Sequence, residues 1–282
     1  MNSNDKQKEY WTQSAGKLWV KDKVEKDNML EPLGNYALSK FNIREGMHVL
    51  DIGCGTGRTT AQIAKTVGNL GHVSGFDLSE TMINKAIEYS DKFKKSNMSF
   101  TVQDIQNEKL KNLHFDGAFS RFGIMFFSNP IMAFKNIYNS LKNDGLLTFI
   151  CWQSQKENIW YDSGLEIVKK YVDIPLTEKY SPGPFAFADK NYLENILINS
   201  GYKNIKFYNY EKDIELFKGF DLDTSVRNYL ETTPIFKEKI KLLSGEVKEK
   251  LHIEIKDVWR PYYKNEYLLF PSKTWVINCS KY

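Results

Sequence analysis

The 282-residue sequence is poor in cysteine, histidine and arginine, and it lacks any long apolar run. Its 3 cysteines are an odd number without framework spacing, which excludes a disulfide-rich scaffold and favours free thiols in a reducing compartment. No apolar stretch approaches the ~18 residues of a membrane-spanning helix, and the first residues lack the apolar core of a signal peptide. We therefore expect a cytoplasmic protein without a membrane span.

An excess of charge of one sign is also lacking. The 39 Lys and Arg residues nearly balance 35 Asp and Glu residues, so the formal net charge is only +4. Such a balance provides no strong field for a nucleic acid or an anionic membrane. The 4 histidines and 3 cysteines form no group with zinc-ligand spacing. We expect neither a nucleic-acid partner nor a metal centre; the oligomeric state is not readable from the sequence.

A glycine-rich turn lies between a predicted buried strand, 47–52, and a predicted helix, 57–67. Gly53, Gly55 and Gly57 occupy this turn. Glycines allow a tight turn and let a ligand approach the main chain closely. A dinucleotide site would require a small residue at position 58, which is an arginine. The turn therefore favours a nucleotide-like ligand other than a nicotinamide dinucleotide.

A carboxylate ends the next predicted strand, 72–77. Asp77 at this position can accept hydrogen bonds from both hydroxyls of a ribose. Alternatively, Asp77 or Ser79 only caps the predicted helix that follows, 80–89. The glycine-rich turn upstream favours the ribose role.

Predicted strands and helices alternate along the chain, which indicates a parallel α/β sheet with right-handed crossovers. Residues 5–40 are predicted to be helical, with a break or kink near Pro32, and a turn is predicted at 143–145. The predicted strands are 47–52, 72–77, 97–103, 115–120, 146–152, 203–216 and 273–279, the last at a sheet edge. The predicted helices after residue 40 are 57–67, 79–90, 130–141, 189–199, 224–230 and 235–258.

From about residue 41 to Trp152 the chain resembles the class I S-adenosylmethionine-dependent methyltransferases. The features that carry the resemblance are the run Asp51-Ile52-Gly53-Cys54-Gly55 and the acidic residues at the strand ends. The resemblance implies a Rossmann-like, seven-stranded, mostly parallel sheet with helices on both faces, an antiparallel last strand and a helical cap. It implies S-adenosyl-L-methionine as cofactor and S-adenosyl-L-homocysteine as product. The implied parts are an N-terminal helical lid (1–40), a cofactor-binding core (41–152) and the remainder of the same domain (153–282), with its last helix and strands (189–216, 273–280) and cap insertions (153–188, 217–271).

The resemblance also implies individual cofactor contacts. Asp51 would bind the cofactor's amino group, although it could instead be structural and bond the loop amides. Asp104 would accept the exocyclic amine of adenine, unless it is an ordinary turn carboxylate. The other implied cofactor residues are Gly53, Cys54, Gly55, Gly57, Asp77, Leu78, Met82, Ile105, Ser120, Trp11 and Trp19.

The two tryptophans are implied as part of a leading helix that closes over the cofactor. Aromatic faces suit a sulfonium cation, at roughly 0.5–2 kcal/mol per contact. A plain apolar contact with the domain explains Trp11 and Trp19 equally well.

Residues 120–130 are broadly similar to the quinone C-methyltransferases among the small-molecule methyltransferases. Arg121 could bind an anionic or carbonyl oxygen of the acceptor, or form an ion pair with an acidic residue of the N-terminal helices. Phe122 and Met125 follow it as substrate-binding candidates, and His252 is the one histidine that we would test as a base.

The resemblance implies in-line transfer of a methyl group to a small-molecule acceptor. The alternatives are a protein or RNA methyltransferase and a non-catalytic nucleotide-binding module. The run Asn-Pro-Pro-Tyr, typical of methylation of exocyclic amines on nucleic acids or of glutamine, is absent after the fourth predicted strand.

Overall fold

The computed structural model describes residues 4–92, 97–110, 114–175 and 177–282. The chain divides into two units, the first from the described residues of 1–153, 180–210 and 274–282, and the second from those of 154–179 and 211–273. Among all these residues, no helix is both long and apolar enough to cross a membrane.

A seven-stranded sheet in the order β3-β2-β1-β4-β5-β10-β6 forms the centre of the first unit. The pairs among β1 to β5 are parallel, whereas β10 runs antiparallel to β5. Residues Val49, Leu50 and Ile52 are all but inaccessible to solvent, as expected for a central parallel strand. The strands of this sheet are β1 (His48–Ile52), β2 (His72–Asp77), β3 (Met98–Val102), β4 (Phe115–Arg121), β5 (Leu141–Trp152), β6 (Lys203–Glu211) and β10 (Lys273–Ser280).

The helices of the first unit begin at side-chain caps in several places. Ser79, Asn129 and Asp189 each accept a backbone N–H of the helix that follows, and Pro130 occupies the tolerated first turn. The helices are α1 (Asp5–Glu9), α2 (Ala15–Lys21), α3 (Lys23–Lys40), α4 (Arg58–Val67), α5 (Glu80–Asp91), α6 (Pro130–Ser140) and α8 (Lys190–Asn199), with a π-helical turn at Tyr10–Ser14 and a 3-10 turn at Ile124–Phe126.

The predicted sheet is confirmed, but the predicted edge is wrong. Strand β10 lies between β5 and β6, so β6 is the edge strand. The burial explains this order, because the side chains of β10 are mostly buried and those of β6 are exposed or half-buried. A strand in the interior of a sheet needs apolar residues on both faces.

Four local predictions also differ from the structure. The predicted strand 203–216 is divided, and its last part is a separate strand. The predicted helix 235–258 is interrupted before Ser244, whose hydroxyl caps a new helix. Strand β5 begins five residues earlier than predicted, with Asp144 in a left-handed conformation (φ 60°). Helix α3 continues through Pro32.

The second unit has an aromatic core. The indole of Trp259 is 1% exposed and donates to the Ser163 hydroxyl at 3.0 Å, while the Tyr229 ring lies against Gly164. Its elements are α7 (Ile159–Val168), β7 (Ile214–Leu216), α9 (Leu222–Thr232), α10 (Lys237–Lys241), α11 (Gly245–Trp259), β8 (Tyr263–Lys264) and β9 (Tyr267–Phe270), with strand order β7-β9-β8. Residues 180–188, predicted to belong to the cap, are part of the first unit.

Candidate active site

The glycine-rich turn follows β1 at the carboxyl edge of the sheet, where α/β folds bind ligands. Gly53, Gly55 and Gly57 all have positive φ, between 55° and 84°. A Cβ on Gly53 would lie 2.8 Å from the Cα of Gly123, and a Cβ on Gly57 would lie 2.9 Å from the ring of Phe100. Glycine is therefore required at both positions by conformation and by space.

Asp77 lies at the end of β2 and contacts this turn directly. One carboxylate oxygen accepts the N–H of Gly55 at 2.9 Å, and the other accepts the N–H of Ser79 at 2.9 Å. The cap of α5 is the hydroxyl of Ser79, which accepts the N–H of Met82 at 3.3 Å. Of the two residues considered for the cap, Ser79 takes that role. Loss of water around the carboxylate raises the pKa of Asp77.

Asp51 is 1% exposed near the carboxyl end of β1. Its carboxylate accepts the Thr60 hydroxyl at 2.6 Å. Burial, aided by the charge of Asp77, raises the pKa of Asp51 to about 7, against the opposing effects of Thr60 and Arg121. A buried carboxylate of this kind is suited to a cationic ligand, which would restore its ionised form.

Asp104 follows β3 at the same edge. One of its oxygens accepts the backbone N–H groups of Gln106 and Asn107 at 3.1 and 3.2 Å, and the other accepts the Asn107 amide at 2.8 Å. These bonds form a turn, and they also orient the carboxylate.

The apolar residues predicted beside the cofactor are mostly buried. Cys54, Met82 and Ile105 are 6%, 3% and 4% exposed, and Leu78 is half-buried. Burial raises the pKa of the Cys54 thiol, so this cysteine is a small apolar residue of the turn rather than a nucleophile.

Arg121 ends β4 and forms a buried ion pair with Asp27 of α3, at 2.8 Å. The two side chains are 10% and 3% exposed. A Cβ on Gly34, also in α3, would lie 2.8 Å from Cδ of Arg121, so the helix leaves space for the arginine. Of the alternatives for Arg121, the ion pair with an N-terminal helix is present.

The segment after Arg121 is closely packed. Phe122 has φ 58° and stacks on Trp152 with ring centroids 4.4 Å apart. Met125 is 1% exposed, and its carbonyl accepts the N–H of Gly183. A left-handed conformation in a bulky residue is strained, and such strain clusters at functional sites.

Trp11 connects the N-terminal segment, which consists of Asn4, α1, the π-helical turn and α2, to this edge. Its ring contacts those of Trp19 and Phe126 at centroid distances of 6.1 and 4.8 Å. Its carbonyl accepts the hydroxyl of Ser79 at 2.9 Å. Trp11 lies in the π-helical turn, a local irregularity that is frequent at functional sites.

Ser120 and His252, both predicted as site residues, have hydrogen-bond partners within the protein. The hydroxyl of Ser120 donates to the carbonyl of Ile52 at 2.8 Å and joins β4 to β1. The imidazole of His252, in the second unit, lies 3.1 Å from the carboxylate of Asp223, which also binds Lys256. His252 therefore lies in a surface charge cluster of its own unit.

Sequence reasoning missed Asn4, Asp27 and Thr60. Thr60 had a local signal, because it lies nine residues after Asp51 on the first turn of α4. Asn4 and Asp27 had none, because their partners are 100 and 94 residues away in the chain.

Comparison with known proteins identifies the class of enzyme. Residues 43–178 match a family model described as a methyltransferase domain. The chain is 25% identical over 181 residues to a demethylmenaquinone methyltransferase of Staphylococcus carnosus, covering 60% of this chain and 73% of the relative. It is 46% identical over 63 residues to a probable cobalt-precorrin-6B C(15)-methyltransferase (decarboxylating) of Saccharolobus solfataricus, covering 22% of this chain and 32% of that protein.

Solved structures show the same fold. The YcgJ protein of Bacillus subtilis has a TM-score of 0.56 at 15% identity and covers 88% of this chain and 98% of its own. A phosphoethanolamine N-methyltransferase 2 of Haemonchus contortus, in complex with S-adenosyl-L-methionine, has a TM-score of 0.52 at 20% identity over 89% of this chain and 52% of that one. The glycine-rich turn, the acidic strand ends and these similarities have one explanation: residues 43–178 are a methyltransferase domain of the class I S-adenosylmethionine-dependent type.

Proposed function

We propose that this methyltransferase binds S-adenosyl-L-methionine along β1, β2 and β3 and transfers its methyl group to a small-molecule acceptor beside Arg121. The observation that carries the proposal is the set of three carboxylates, Asp51, Asp77 and Asp104, at the carboxyl edge of adjacent strands. Asp77 is hydrogen-bonded to the glycine-rich turn itself.

The donor and acceptor chemistry of these residues fits the cofactor. Asp51 suits an ammonium group, since binding a cation offsets the cost of ionising it in a buried position. Asp77 suits a ribose diol, and Asp104 suits an exocyclic amine. When bound, S-adenosyl-L-methionine supplies an electrophilic methyl group on a sulfonium that is a good leaving group.

The protein's own part in such a reaction is positioning and exclusion of water. Trp11 and Phe126 offer aromatic faces at the carboxyl edge, which suit a sulfonium cation. The close approach of Gly53 to Gly123 holds the cofactor turn against the segment that follows β4. An acceptor held ~3 Å from a methyl group needs no diagnostic acid–base triad.

A small, weakly charged acceptor fits the environment of Arg121. Asp27 neutralises the guanidinium at 2.8 Å, so this arginine offers N–H donors without a large net attraction for a phosphate. Phe122 and Met125, the two apolar candidates that follow it, are 7% and 1% exposed and form the packed segment behind Arg121. These features, with the quinone methyltransferase relatives, support a hydroquinone-like acceptor with a phenolic or carbonyl oxygen. His252 stays a candidate base.

The charges of the second unit favour a small molecule over RNA. Lys241, Lys256 and Lys170 form ion pairs with Glu238, Asp223 and Glu254. Paired lysines are a poor track for phosphates, since binding RNA would require breaking each pair.

Two measurements test the proposal. Calorimetry should detect binding of S-adenosyl-L-homocysteine and no binding of NAD, and binding of NAD as tight or tighter would refute the cofactor assignment. Methyl transfer from S-adenosyl-L-methionine should then label a naphthohydroquinone with an unsubstituted ring position, and not phosphoethanolamine, total RNA or a protein extract. The Asp77→Ala variant is the control for cofactor-dependent labelling. Label found only on RNA or protein would refute the small-molecule assignment.

A further inference from the structure

Asn4 has the position of a helix cap but does not act as one. It precedes α1 and is 3% exposed, yet its side chain accepts no hydrogen bond from the first turn of that helix. Asparagine at such a position ordinarily caps the helix. The Asn4 amide instead donates to the Asp104 carboxylate at 2.8 Å, across 100 residues of sequence.

The Asn4 amide is one of several donors that share a single oxygen of the Asp104 carboxylate. Oδ1 of Asp104 accepts three donors, which are Nδ2 of Asn4 and the backbone N–H groups of Gln106 and Asn107. Oδ2 accepts the Asn107 amide. A carboxylate has about two acceptor positions on each oxygen, so Oδ2 retains capacity for one more donor while Oδ1 is fully used.

A second contact anchors Asn4 to the segment after β4. Its Oδ1 lies 3.4 Å from the Ser128 hydroxyl, which also bonds the Gln106 side chain at 3.0 Å. Gln106 is 1% exposed, and its Oε1 accepts the N–H of Asn129 at 2.7 Å. The N-terminal segment thereby joins a buried polar network that holds Asp104 in a single orientation.

We propose that Asn4 is a positioning residue for purine recognition: it holds Oδ1 of Asp104 so that Oδ2 accepts the exocyclic amine of the cofactor's adenine. The proposal rests on the role of Asp104 in the proposed function. Recognition of the base then depends on the Asn4 amide itself, because this residue supplies part of the carboxylate's environment.

The test compares two ligands that differ at purine position 6 and, as a consequence, in the proton that the neighbouring N1 carries. S-adenosyl-L-homocysteine has an amine at purine position 6, and S-inosyl-L-homocysteine has an oxygen there. A carboxylate oxygen attracts the amine and repels the oxygen, so the ratio of the two dissociation constants measures its orientation. We expect Asn4→Ala to weaken binding of the adenosyl ligand roughly tenfold and to reduce the ratio by a similar factor. Asn4→Asp, which has the same shape but lacks the donor, should reduce it at least as far.

The control is Thr81→Val. The Thr81 hydroxyl donates to the Thr12 carbonyl at 3.0 Å, so it anchors the same N-terminal segment without contacting Asn4 or Asp104. This variant should weaken both ligands equally and leave their ratio unchanged. Thermal unfolding of every variant reports whether it is folded.

The outcomes distinguish a failure of the role of Asn4 from a failure of the adenine role of Asp104. If Asp104→Ala abolishes the ratio but Asn4→Ala and Asn4→Asp keep it, Asn4 has no positioning role. If Asn4→Ala binds the adenosyl ligand more tightly than the parent, Asn4 competes with adenine and the proposal is wrong. If Asp104→Ala keeps the parental ratio, the adenine role of Asp104 fails, and the role of Asn4 fails with it.

Discussion

The raised pKa of Asp51 predicts that cofactor binding depends on pH near neutrality. With the pKa at about 7 in the ligand-free protein, only about one carboxyl in eleven is ionised at pH 6. If only the ionised form accepts the cofactor's ammonium group, the apparent dissociation constant at pH 6 is about elevenfold larger than its limit at high pH. Binding then releases nearly one proton at pH 6.

The raised pKa of Asp51 also makes the free energy of unfolding depend on pH. The pKa of Asp51 is raised from 3.8 to about 7, so the folded protein holds a proton that the unfolded chain loses. This contribution to the free energy of unfolding is fully present below pH 3.8 and is lost as the pH rises through 7. Its size is about 4 kcal/mol, from ~1.4 kcal/mol for each of about three pH units.

Titration calorimetry with S-adenosyl-L-homocysteine between pH 5.5 and 7.5, in buffers of different ionisation enthalpy, measures both the affinity and the released proton. The Asp51→Asn variant should bind weakly at every pH, with a flat profile. Thr60→Val removes the hydrogen bond that favours the ionised form, so its midpoint should move to higher pH. A parental affinity that is constant from pH 5.5 to 7.5 would refute the reasoning.

Two further predictions concern single side chains. Asp77→Ala should weaken binding of S-adenosyl-L-homocysteine by about 1.5–3 kcal/mol, because a charged hydrogen-bond acceptor is lost. Calorimetry should show this as a rise of about one to two decades in the dissociation constant, and parental affinity would exclude the ribose role. Arg121→Met should lower the free energy of unfolding in urea by roughly 3–5 kcal/mol, because it leaves Asp27 buried without its partner. Adding Asp27→Leu should restore most of that loss, and a double variant no more stable than the single one would contradict this explanation.

The sheet was predictable because its signals are local. Strands β1 and β2 have apolar runs that end at glycine or aspartate, and the structure places their bounds within one residue of those predicted. The order of β6 and β10 depends on pairing between distant segments. Comparing the run Trp275-Val276-Ile277 with the polar residues of β6 would have indicated which of the two is interior.

The candidate site likewise has residues that a local motif predicts and residues that it does not. The glycines, Asp51 and Asp77 lie within 27 residues of one another, so a motif is sufficient to find them. Arg121 and Asp104 each have one partner near the N-terminus, and only the folded chain brings Asp27 and Asn4 to them. An acidic residue and an asparagine in a charged, helical segment have no pattern that distinguishes them from solvent-exposed neighbours.

The second unit is assembled from two separate stretches of chain that share one core. Trp259 in the later stretch donates to Ser163 in the earlier one, and Tyr229 fills the space beside Gly164. Neither stretch can be lost or exchanged alone during evolution or engineering, because the other would retain aromatic residues without their neighbours. Transplanting this unit between enzymes therefore requires four simultaneous junctions, at 153/154, 179/180, 210/211 and 273/274, and the sheet then keeps β6 and β10 except for the end residues Glu211 and Lys273.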